Sequence, residues 1–78
     1  MRIDNAHRVR DLAQEVVRLI DAATARARRD REEANIYWTE RGETPLTSPP
    51  DLAYTPEAGA LRRRSMDLTR ALAELRKP

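Results

Sequence analysis

An all-α hairpin with unequal arms is the fold this sequence predicts, on three observations. Ile3 to Arg41 contains neither proline nor glycine. Gly42, Pro45, Pro49 and Pro50 then punctuate one polar stretch. A fresh helix signal follows at Thr55-Pro56-Glu57.

The first arm is expected to run from about residue 5 to 41, roughly 55 Å at the helical rise. Asp4 or Asn5 is the expected cap, since either side chain can accept from an orphan backbone N–H. Val9, Ala13, Val16, Ile20, Ala23, Ala27, Ala34 and Tyr37 then recur at steps near three and four. Asp30 fills the missing seam position, and Leu12 and Leu19 widen the stripe. This is the amphipathic spacing of a coiled-coil helix. The stripe is aliphatic from Val9 to Ile20, alanine-rich at 22–27 and bulky again at Ile36, Tyr37 and Trp38. Gly42 is placed to take the left-handed conformation that ends it.

Residues 42–54 read as a proline-rich loop, extended around Pro49-Pro50 because proline restricts its predecessor as well as itself. Leu46, Leu52 and Tyr54 are expected to fold back onto the Tyr37–Trp38 tip. Thr55 as cap, Pro56 at the first helical position and Glu57 near the positive helix end start the second arm. It runs to about Arg76, with Leu61, Ser65, Leu68, Leu72 and Leu75 on one seam. Residues 1–78 thus form a single helical-hairpin domain.

Direct pairing across the bend places Leu61 near Tyr37 and Leu75 near Ala23, leaving Val9–Ile20 overhanging. Exposure of that greasy half would be costly. The expectation is therefore a homodimer, with Val9, Leu12, Val16, Leu19 and Ile20 making the self-association surface of a four-helix bundle. Tyr37, Trp38, Leu46, Leu52 and Tyr54 are left as a tip for a protein partner.

Composition supports association. A chain of 78 residues rarely buries a sufficient core alone, and without cysteine it has no disulfide or thiolate site. His7 is the single histidine, so an imidazole metal site has nothing to build on. The longest uncharged run, Thr44 to Pro50, cannot span a membrane, and Met1–Arg10 is mostly polar. A cytoplasmic chain is expected, without cofactor or small-molecule substrate.

The net charge of +2 is unevenly spread. Residues 1–30 carry about +2, 31–60 about −4 and 61–78 about +4. Arg26, Arg28, Arg29, Arg31, Arg62, Arg63 and Arg64 are the candidate phosphate contacts of an alternative reading, a nucleic-acid-binding dimer. On a helix, however, several have a carboxylate one turn on. Arg26 precedes Asp30, Arg28 precedes Glu32, Arg29 precedes Glu33, Arg63 precedes Asp67 and Arg70 precedes Glu74. Arg31, Arg62 and Arg64 are the least paired in this pattern. No helix-turn-helix or zinc pattern accompanies them.

Catalysis has little to draw on. Ser48 and Ser65 lack a neighbouring base, Glu-x-x-His spacing is absent, and two glycines make no phosphate-cradling loop. The leading expectation is a non-enzymatic interaction module: an adaptor, regulator or assembly component, with phage or mobile-element origin a fitting context.

Overall fold

The helix formers from Ile3 onward fold as one continuous helix. The computed structural model describes residues 1–78, with α1 at Ile3–Thr39, a 3₁₀ turn at Leu52–Tyr54 and α2 at Ala58–Leu75. There is no strand, and the two helices form a slender hairpin of 61 × 17 × 14 Å. Neither helix is long and apolar enough to cross a membrane.

Both helix starts differ from expectation. α1 begins directly after Arg2, whose backbone is extended and whose side chain makes no capping bond. Asp4 and Asn5 are already helical, so they lack the extended backbone that a cap requires. Asp4 instead places its charge in the first turn, beside the positive helix end. At the second start, Thr55 is extended, but its hydroxyl donates to the Leu52 carbonyl at 2.7 Å. It therefore serves the 3₁₀ turn rather than capping α2. The Ala58 N–H reaches the Thr55 carbonyl at 3.1 Å, a tight turn that delays α2 by two residues from Pro56.

The end of α1 follows the glycine signal. Gly42 has φ +86°, its N–H donates to Thr39 at 3.0 Å, and the Glu43 N–H donates to Trp38 at 3.0 Å. Those two bonds form a Schellman motif, which satisfies carbonyls the helix leaves open.

The larger correction concerns register. Leu61 does not lie beside Tyr37, nor Leu75 beside Ala23. Glu57, just ahead of α2, meets Arg26 at 2.8 Å, and Arg64 meets Glu15 at 2.9 Å. Further along, Ala71 and Glu74 border one cleft with Asn5 and Arg8. The second helix therefore covers the N-terminal two thirds of α1. The cause is the extended return segment. Seven residues, Thr44 to Pro50, span about 23 Å when extended, equal to the rise of about fifteen helical residues. The chain thus travels back from Gly42 to the level of Arg26 before α2 can start.

Two contacts hold that segment against α1. The Asn35 side chain donates to the Leu46 carbonyl and accepts from the Leu46 N–H, both at 3.0 Å. Arg31 donates to the Ser48 carbonyl. Consequently the Val9–Ile20 stripe does not overhang. Leu12 is buried, Val9, Val16 and Leu19 are half-buried, and Ile20 keeps partial exposure. With α2 covering this stripe except at Ile20, most of its apolar area is removed within one hairpin.

The core is thin: Leu12, Ala23, Ala27 and Ala71, with Thr55 at its edge. Alanines let the helices approach closely but remove little apolar area each. On α2 the inward face holds Leu61, Arg64, Leu68, Ala71 and Leu75, and Ser65, an expected seam residue, is exposed. Its hydroxyl donates to the Arg62 carbonyl at 2.8 Å.

The two glycines make opposite predictions. A Cβ at either position meets nothing within 4 Å, but only Gly42 has positive φ. Gly42→Ala is expected to destabilise by about 1 kcal/mol. Gly59→Ala, inside α2, is expected to stabilise by about 0.4–1 kcal/mol. Thermal unfolding followed by circular dichroism measures both, and equal signs would contradict the backbone assignment.

Candidate interaction surface

The face of α1 that packs on α2 passes through Leu12, Val16, Leu19, Ala23 and Ala27. Helical spacing continues it through Asp30, Ala34, Tyr37 and Arg41. There α2 is absent, because its start lies opposite Arg26. Asp30, Ala34, Tyr37 and Arg41 are all exposed. An amphipathic stripe thus runs past the end of the helix that covers it.

Tyr37 and Trp38 dominate this end. Their rings meet edge to face, with centroids 4.9 Å apart and planes at 88°. The Arg41 guanidinium sits 3.5 Å from the Tyr37 ring centre and donates to the Tyr37 carbonyl at 2.9 Å. Edge-to-face packing and a cation over the ring face both suit the aromatic quadrupole, so the cluster is locally ordered. Even so, 48% of Tyr37 and 50% of Trp38 remain exposed. Ile36, on another side of α1, is 55% exposed and borders a shallow groove with Arg28, Glu32 and Pro50.

The five tip residues expected together are divided. Leu46 is tied at Asn35, and with Leu52 it borders a cleft beside Thr24, Arg28 and Arg31. The return segment thus flanks the aromatic stripe without covering it. Tyr54, in the 3₁₀ turn, is almost wholly exposed. Only Tyr37 and Trp38 form a pair.

The arginines are redistributed as well. None of the five expected pairs with a following carboxylate forms. Arg26 takes Glu57, while Arg29 takes its neighbour Asp30 at 4.0 Å. Arg64, expected to be among the least paired, meets both Glu15 at 2.9 Å and Asp67 at 3.3 Å. Lys77 takes Glu74 at 2.9 Å. The base-before-acid order is the weaker one on a helix: Arg26 turns to a carboxylate across the interface, while Asp67 and Glu74 are taken by Arg64 and Lys77 three residues away. Arg62, Arg63 and Arg70 are exposed, with no carboxylate within ion-pair distance.

Glu15 and Glu57 are the structural partners that local spacing did not reveal. No pattern within one helix signals them, because their role depends on inter-helix register. Arg26 donates to both Glu57 oxygens, at 2.8 and 3.1 Å. That hydrogen bond is the main cause holding the Glu57 carboxyl below its ordinary value of 4.5. A carboxyl lowered on folding stabilises the fold above its unfolded-state value, and the benefit fades as pH falls through the folded one.

Glu57→Gln should therefore lower the melting temperature at neutral pH. The gap from the parent chain should narrow as pH falls below about 4.5. Melting curves across that range measure it, and a constant gap would contradict the Arg26–Glu57 contact.

The chain matches no protein-family model, no curated protein and no solved structure.

Proposed function

We propose that this chain is a non-enzymatic protein–protein interaction module, a small adaptor, regulator or assembly component. One observation carries the reading: the packing face of α1 continues uncovered beyond α2, bearing Tyr37 and Trp38 half-exposed beside Ala34. Aromatic anchors on a rigid helix, ringed by charge, have the composition of an interface centre. Arg41 stacked on Tyr37 restricts the ring before any partner arrives, reducing the ordering cost of binding.

The test is a comparison of the parent chain with Tyr37→Ser/Trp38→Ser as baits in the same extract. Loss of captured proteins, with helical content retained, is the expected outcome. An identical captured set from both baits would exclude the tip as the docking surface.

A second reading is favoured by the outer face of α2, where Arg62, Arg63 and Arg70 lack carboxylate partners. Phosphate contacts there would give nucleic-acid binding that weakens steeply with salt. Arg26 and Arg64 are already engaged across the hairpin and Arg31 holds the return segment, so those three leave this surface. Fluorescence anisotropy with labelled duplex and single strands tests it. Removal of each phosphate-contacting arginine should reduce the log–log salt slope by roughly one. No binding at low salt would end this reading.

A further inference from the structure

The uncovered end of α1 is self-complementary. We infer that a second copy of this chain covers it, pairing antiparallel about a two-fold axis through Asp30, Ala34, Tyr37 and Arg41. The inference rests on the tip being a docking surface, and it names the occupant.

The four residues step by four, three and four along one helical face. Run in the opposite direction, that stretch matches itself. Asp30 meets Arg41 of the partner subunit, and Ala34 meets Tyr37 of the partner subunit. The reverse pairs complete the set. Each layer joins unlike groups: an acid with a base, and a small side chain with a large one. This is the alternating arrangement of an antiparallel coiled coil, with Trp38 on the flank.

Charge points to the same occupant. Asp30 is 63% exposed at its side chain, and its nearest cation, Arg29, is a neighbour at 4.0 Å. Arg41 rests on an aromatic ring and a carbonyl rather than on a carboxylate. Within one chain the two lie eleven residues apart, about 16 Å along the helix, too far to pair. A second copy supplies Arg41 with the carboxylate it lacks and adds to Asp30's single long pair with Arg29, twice over.

Space and direction also fit. α2 runs antiparallel to α1 and stops supplying cover at the level of Arg26 and Ala27. The copy's α1 would run in the same direction as α2 and occupy the continuation of its line. Its C-terminal end would approach the N-terminal end of α2, bringing opposite helix-dipole ends together. The pair therefore extends the packing face already used within the hairpin. A fully buried aromatic side chain covers about 150–250 Å², so four half-exposed rings make a modest interface. The result is a reversible dimer in the small, concentration-dependent class.

A charge-swap experiment tests this. Asp30→Arg and Arg41→Asp are made separately, checked for helical content by circular dichroism, and run in sedimentation equilibrium alone and mixed. The parent chain is expected to rise with concentration from 9.0 kDa towards twice that mass. Each variant alone places like charges at both ends and should weaken association about tenfold or more. Their equimolar mixture should restore it, since every Arg then faces an Asp. Trp38 emission should shift to the blue in step with association.

A parent chain that stays at 9.0 kDa throughout would overturn the inference. So would single variants that associate as the parent does, or a mixture of helical variants that stays monomeric. If the parent is monomeric yet the serine variant still loses its captured proteins, the interaction reading stands and only the second copy is wrong.

Discussion

The return of residues 43–51 along α1 sets the position of everything that follows. An extended strand of chain advances about twice as far per residue as a helix rises, so a short loop carries α2 well down the first arm. Asn35 grips the Leu46 backbone as donor and acceptor, and Arg31 holds the Ser48 carbonyl. Had the loop turned tightly at Gly42, α2 would have covered the aromatic tip and exposed the aliphatic half. Its backward run reverses that choice.

Two ion pairs then hold the register, one where α2 starts and one near the middle of the covered region. Arg26–Glu57 and Arg64–Glu15 both cross the interface with partly buried side chains. The seam they cross buries Ala23, Ala27 and Ala71 and one larger side chain, Leu12, so little apolar area is removed. A thin alanine interface tolerates sliding, and charged partners at fixed positions supply specificity that packing alone would not. The same pairs withdraw two arginines from the surface. Exposed arginines without a carboxylate partner remain on α1, Arg28 among them, and gather on the outside of α2 at Arg62, Arg63 and Arg70.

Covering the aliphatic half leaves the distal third of α1 as an unfinished helix interface. Tyr37, Trp38 and Arg41 form an ordered cluster on an element that already packs elsewhere along the same face. The proposed docking surface follows from a mismatch between helix lengths shifted to the far end of the rod. The greasy stripe serves folding, and the aromatic end is what the fold presents.

Much of this was legible in the residues themselves. The run without proline or glycine, the left-handed Gly42 and the apolar spacing determine two helices, their approximate ends and the face that α1 buries. These are local properties, decided by backbone sterics and by periodicity within a single helix. Which residues face one another was not legible. Leu61 against Tyr37 and Leu61 near the middle of α1 satisfy the same periodicity, and the choice depends on whether the loop is tight or extended. That choice rests on long-range bonds from Asn35 and Arg31 to loop carbonyls and an amide, and on Arg26 and Arg64 finding carboxylates on the opposite arm. Local spacing contains no term for such contacts, so it assigned Asp30 to Arg26 and Asp67 to Arg63. The sequence by itself determined an unequal hairpin with more apolar face than its shorter arm could cover. Only the tertiary structure decided that the uncovered part is the aromatic end, because the path of the loop places the second helix.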